Sequence, residues 1–176
     1  MHLLLNAAAF QAGWFASVWG AASGSPDLGP LVVLLVLAWH LSWRPGRLGE
    51  LALAVISGIL GFFFDTALVA AGVFSPVRFW MPPPWSPLWM VFLWINFATL
   101  VNGSLRWLRG RYRLAGLFGA IGGPAAYYAG EQVGATREPI TWWGLMVLAG
   151  AWSIAVPLMV RVARAIERHL QEEAGA

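Results

Sequence analysis

Cysteine and lysine are both missing from this 176-residue chain. Without cysteine there is no disulfide, no thiolate metal site, no iron–sulfur cluster and no thiol nucleophile. Charge of either sign is scarce, at 11% of residues against roughly 25% in an ordinary soluble domain, while hydrophobic residues reach 59%. That balance argues against a soluble globule. The 11 basic residues are all arginine, a handful rather than a nucleic-acid-binding surface, so no nucleic-acid partner is expected. His2, His40 and His169 are too scattered to suggest a metal centre. Gly-x-Ser-x-Gly, His-Glu-x-x-His, P-loop and dinucleotide glycine motifs are all absent, which disfavours serine hydrolases, zincins and nucleotide-driven pumps.

What the chain does have is apolar runs near the length that crosses a ~30 Å hydrocarbon core. Six are read, at 3–22, 28–43, 51–73, 88–108, 114–133 and 141–162, followed by a tail at 163–176. The expected fold is therefore all-α, a single transmembrane domain built as a bundle of six transmembrane helices. The second run is short, and the breakers Ser23-Gly24-Ser25-Pro26-Asp27 before it predict a tight helical hairpin. The first run lacks a basic leading segment and carries Asn6 and Gln11, so it is read as an uncleaved helix rather than a secretory signal.

Arginine position supports the alternation, because positively charged loops stay on the cytoplasmic side. With the N-terminus inside, nine of the eleven arginines fall in cytoplasmic segments, and only Arg78 and Arg137 fall outside. Both termini are thus expected inside. Tryptophan agrees, with most of its 12 copies at predicted span ends and only Trp14, Trp94 and Trp152 well within spans.

Six of the eight carboxylates, Asp27, Glu50, Glu138, Glu167, Glu172 and Glu173, sit in loops, helix ends or the tail. Asp65 and Glu131 do not. Counting back from Val73 at 1.5 Å per residue places Asp65 roughly 12 Å below the outer boundary, where an acid is costly and is a functional candidate or hydrogen-bonded interhelical glue. Glu131 shares a helical face with Gly119, Gly123 and Tyr127, spaced by four, and small residues at that spacing let helices approach closely. Asp65 and Glu131 are accordingly taken as catalytic candidates looking into one outer-half cavity, the alternative for Glu131 being simple solvation at the interface. Pro124 in the same run predicts a kink, beside a polar cavity or as a plain packing bend.

Ligand-binding candidates follow from position. Asn96 lies at about the depth of Asp65 by the same count, where an amide and an acid can pair or share a ligand. Asn102 forms a stripe with Thr99 and Arg106 toward the cytoplasm, and Gln11 and Trp14 give the first helix a polar side. Tyr127 and Trp94 complete the interior set. For these amides the competing reading is interhelical glue. The loop Ser75–Pro87, with five prolines, two tryptophans and Arg78, is either a lid over the outer mouth or a passive interfacial connector, and Arg78 is a further ligand-binding candidate, for a phosphate headgroup or one of the acids. Arg161, Arg164 and Arg168 form a basic stripe that anionic inner-leaflet lipid attracts.

Gln11-Ala12-Gly13-Trp14, Gly61 to Asp65, the proline-rich approach to Trp89 and Trp94, and Gly122-Gly123-Pro124 followed by Tyr127-Tyr128 resemble an uncharacterised family of small polytopic bacterial inner-membrane proteins. The resemblance covers nearly the whole chain. It implies a multi-pass protein of the bacterial inner membrane and assigns no reaction, cofactor or protein partner. The residues themselves point to membrane lipids as partners, with a lipid or isoprenoid-like molecule bound or modified in an intramembrane cavity. A small proton-coupled transporter using Asp65, and a non-catalytic assembly subunit, are the competing expectations.

Overall fold

The computed structural model describes residues 2–78 and 80–175, so Met1, Phe79 of the proline-rich loop and Ala176 of the tail lie outside the described residues. Six α-helices follow one another: α1 (His2–Ser23), α2 (Leu28–Trp43), α3 (Arg47–Ala70), α4 (Leu88–Val101), α5 (Tyr112–Val133) and α6 (Trp142–Gly175). A short 3-10 helix, Arg106–Leu108, lies between α4 and α5. The described residues contain no β-strand, only an isolated bridge between Pro76 and Thr136, and the fold is all-helical. Two of the helices, α3 and α6, are long and apolar enough to cross a membrane by length and composition.

Chain chemistry sets the helix ends. The α1–α2 hairpin turns where Gly24 takes a φ of +92°, a left-handed conformation that costs a Cβ-bearing residue energy, and α5 stops the same way at Gly134, also at +92°. The expected fourth run does not persist as one helix to residue 108. It ends at Val101 because Asn102-Gly103-Ser104 turns, and α1 stabilises that turn: Asn6 donates to the Thr99 carbonyl at 3.1 Å and accepts from the Ser104 amide at 2.9 Å. A side chain from one helix thereby satisfies the terminal backbone groups of another. The proposed Thr99–Asn102–Arg106 stripe is consequently broken, since Asn102 already lies past the last turn. Pro124 sits inside α5, which continues through it, and α6 runs unbroken through the expected tail.

Contacts between helix ends show that successive helices alternate in direction. At one end, Asn6 near the start of α1 meets the end of α4, Arg44 after α2 donates to the Asn102 carbonyl at 3.0 Å, and Arg109 bonds Glu167 on α6 at 2.8 Å. At the other, Arg78 Nε donates to the Ala21 carbonyl at 3.3 Å and Val77 and Arg137 pair with Ala135 and Ser75. The arginine-rich segments gather at the first end, as the spacing along the chain requires.

Burial is distributed unusually. Apolar side chains fill two clusters, one around Leu53, Trp94, Phe97, Leu108, Val156 and Met159, the other around Val18, Leu68, Phe74, Trp89 and Leu148. Yet Asn6, His40, Glu50, Asp65, Asn96 and Asn102 are buried as well, while Leu4, Phe15, Leu35, Ile59, Phe63, Ile121 and Ile154 are exposed on the perimeter.

Candidate functional site

The close approach of helices begins with glycine. At Gly61 on α3 an added Cβ would run into the indole of Trp94, and at Gly123 on α5 it would run into the indole of Trp152. Missing side chains therefore hold two tryptophans, one from α4 and one from α6, which stack with centroids 4.8 Å apart and planes 14° from parallel. Gly119 packs against the Trp152 backbone in the same way, so the expected small-residue face of α5 does meet a neighbour, and the neighbour is α6.

Beside the stack lies a cavity of about 440 Å³. Phe10, Gln11, Trp14, Phe15 and Val18 of α1 form one wall, and α4 contributes Met90, Leu93, Trp94 and Phe97. The opposite wall is α5, where Gly122 and Ala126 are too small to fill the space and Gly119, Gly123 and Gly130 also line it. Wall residues on α5 run from Phe118 to Gly130, a length of roughly 18 Å at 1.5 Å per residue. Phe15 and Phe118 line the cavity and are also exposed on the perimeter, so it opens sideways between α1 and α5. Its wall is almost entirely apolar, the shape and lining of a small-molecule pocket.

Asp65 sits at this cavity with no solvent exposure. Its Oδ2 accepts the Trp94 indole N–H at 2.9 Å, and its Oδ1 accepts the Tyr127 hydroxyl in a short hydrogen bond. Both partners are neutral donors. Phe74 packs edge-on to Tyr127 with centroids 4.9 Å apart, and Phe64 does the same to Trp94 at 5.0 Å, closing an aromatic shell round the acid. Asp65 can order Trp94 and Tyr127, and Asp65 and Tyr127 can hold or pass a proton between their oxygens.

Of the residues singled out from sequence, Asp65, Trp94 and Tyr127 come together and Gln11 and Trp14 lie on the cavity wall. The others lie elsewhere. Glu131, expected to share a hollow with Asp65, is absent from the cavity wall: its carboxylate accepts the Ile140 amide at 2.7 Å and ties down the α5–α6 connection. The cavity wall reaches Gly130 and Ala135 on either side of it, so it is the direction of the Glu131 side chain, toward the α5–α6 connection, that keeps it out of the site. Asn96 does not pair with Asp65, because Trp94 takes that place and residues two apart on a helix point about 200° apart. Asn96 instead donates to the Phe10 carbonyl at 2.9 Å, in the niche left by Gly13. Arg78, at φ +60°, binds the end of α1 and not the cavity. The front of its loop does reach the site, through Phe74 and Pro76 on the cavity wall.

Asn102 belongs to a second polar centre, at the arginine-rich end, which sequence reasoning missed. Glu50 accepts from Arg44 Nε at 2.9 Å and Nη2 at 2.6 Å, meets His40 Nε2 at 3.2 Å, and accepts from the Asn102 amide at 3.3 Å. Arg109 then donates to Asn102 Oδ1 at 2.6 Å. The available signal was local: His40, Arg44 and Glu50 lie within ten positions of one another, on either side of the turn marked by Pro45 and Gly46. Among the described residues no three His, Asp or Glu side chains converge as a metal-binding group. The aromatic neighbours Trp152 and Phe74 were also missed as site residues, since nothing along α6 or the α3–α4 loop marks which side faces Asp65.

Residues 3–158 match the family described as "Protein of unknown function (DUF2878)", and the chain belongs to it. No curated protein and no solved structure matches the chain.

Proposed function

We propose that this DUF2878 member is a six-span membrane protein that binds, and presents for modification, a lipid or isoprenoid-like molecule in a laterally open intramembrane cavity. The observation that carries the reading is a buried acid with only neutral hydrogen-bond partners at the wall of an apolar groove. An acid in such surroundings is costly, and the cost is offset where its hydrogen bonds organise a site.

Burial supports the membrane setting. Amides and acids point inward while leucines, phenylalanines and isoleucines cover the perimeter, an arrangement that hydrocarbon favours and water does not. Arginine segregation to one end supports an inner-membrane protein with both termini cytoplasmic, 1–176 forming one transmembrane domain. Because the chain has no cysteine, single cysteines introduced at Ser25, Arg47 and Gly110 report topology without background. Labelling of Ser25→Cys from outside, with Arg47→Cys and Gly110→Cys reached only from inside, is the expected pattern; outside labelling of all three would overturn the six-span reading.

Lateral opening supports lipid over a water-soluble substrate. In the lipid reading Asp65 holds Tyr127 and Trp94 in place by accepting their hydrogens, and Gln11 offers a second polar contact. The test is lipid extraction from protein purified in mild detergent. Wild type retains a stoichiometric lipid, Asp65→Asn retains much less, and Gly122→Leu, which fills the groove away from Asp65, retains none. Equal lipid content in all three proteins would sink the proposal.

A further inference from the structure

We infer that the molecule held in this cavity carries a hydroxyl group and binds with that group donating to the phenol oxygen of Tyr127, as a long-chain alcohol does. The inference rests on the lipid-binding reading and adds the chemistry of the head group.

Its basis is which atom the cavity meets. Asp65 has no exposure, and each of its oxygens is engaged, Oδ1 by the Tyr127 hydroxyl and Oδ2 by the Trp94 indole. Tyr127 is only partly buried and lies on the cavity wall. A phenol has one hydrogen, and here it is given to Asp65, so the lone pairs left on its oxygen only accept. The Trp94 N–H is spent in the same way. At this point the site therefore asks its ligand for a donor to Tyr127, while the indole N–H of Trp152 on the same cavity wall has no partner among the described residues and asks for an acceptor, and a hydroxyl is both. Carboxylates, phosphate diesters, ethers and ketones bring only acceptors, and the first two bring negative charge toward Asp65. An ammonium would donate but leaves water at a far greater cost than a neutral hydroxyl.

The chain of such an alcohol has a course as well. Below Tyr127 the groove runs along α5 to Phe118, roughly 13 Å at 1.5 Å per residue, past Gly122. A Cβ at Gly122 would meet only the edge of the Phe118 ring, at 3.9 Å, so the space beside it is open.

The experiment measures binding of tritiated dodecanol to the full chain in nanodiscs, with unlabelled dodecanol, its methyl ether and dodecanoate as competitors. Wild type prefers dodecanol to the ether and to dodecanoate by roughly ten-fold, the effect of one buried hydrogen bond. Tyr127→Phe lowers dodecanol affinity to that of the ether and leaves the ether within about two-fold of wild type, because only the acceptor is removed. Gly122→Leu, folded by the same thermal transition as wild type, blocks all three. If the three compounds compete equally in wild type and Gly122→Leu still blocks them, the hydroxyl inference falls and the lipid cavity stands. Should dodecanoate prove the strongest competitor, the inference falls too. Binding unchanged by Gly122→Leu would instead remove the cavity reading on which it rests.

Discussion

Two buried carboxylates, about four turns apart on α3, have opposite surroundings. Glu50 is met by Arg44 through two hydrogen bonds, with His40 and Asn102 beside it, and Arg109 joins through Asn102. Asp65 is met by an indole and a phenol, and a cavity adjoins it. Opposite charge and four convergent side chains make the first a clamp that ties together α2, α3 and the turn after α4. Neutral partners and an adjoining cavity leave the second with space beside it, which is why we propose it as the binding site. Position in the chain ranked them otherwise: Glu50 looked like an ordinary helix-end acid, and Glu131 looked like Asp65's companion.

The sharpest way to break that contrast is to remove the clamp. Glu50→Ala leaves Arg44 and His40 without their anion, and loss of one partner from a buried pair costs about 3–5 kcal/mol, so a large drop in unfolding free energy in mixed detergent is expected. A change below about 1 kcal/mol would mean that the Arg44–Glu50 pair is no stronger than an exposed one. Next in size, Gly61→Val pushes against Trp94 and destabilises by about 1–3 kcal/mol through overpacking, while also reducing lipid retention. A fully stable Gly61→Val variant would show that the tryptophan has room to move.

Asp65→Asn then separates the two centres by kind. It keeps an acceptor for one donor and loses one for the other, costing about 1–2 kcal/mol in the same unfolding assay. Its retained lipid nonetheless falls further than in Glu50→Gln, and the reverse order would place the functional centre at Glu50. The smallest effect is expected at Glu131→Gln, which keeps an oxygen for the Ile140 amide: a change of under about 1 kcal/mol, with lipid retention intact. Loss of lipid from this variant would restore Glu131 to the site.

Much of the architecture was legible along the chain. The second helix spans 28–43 as expected, the first and fifth depart by one or two residues, and the breakers at Ser23–Asp27 do turn the chain. Apolar run length and glycine placement are local properties, and helices whose hydrogen bonds are internal follow from them. The fourth helix was misjudged because its end is decided by Asn6, 93 residues away from Thr99. Depth arithmetic brought Asp65 and Asn96 to one level, but depth says nothing of rotation about a helix axis. Trp94, two residues earlier, was the side chain on the right face.

The amino-acid sequence by itself determined an all-helical chain with nine of its eleven arginines at one end, its polar side chains few and its glycines on particular helical faces. Those traits come from composition and short-range periodicity, which need no knowledge of neighbours. Only tertiary structure decided that Tyr127 and Trp94 spend their hydrogens on Asp65, that Glu131 turns to a loop, and that Glu50 is clamped by Arg44. Such pairings depend on helix rotation and on contacts between distant segments, and packing of whole helices sets both.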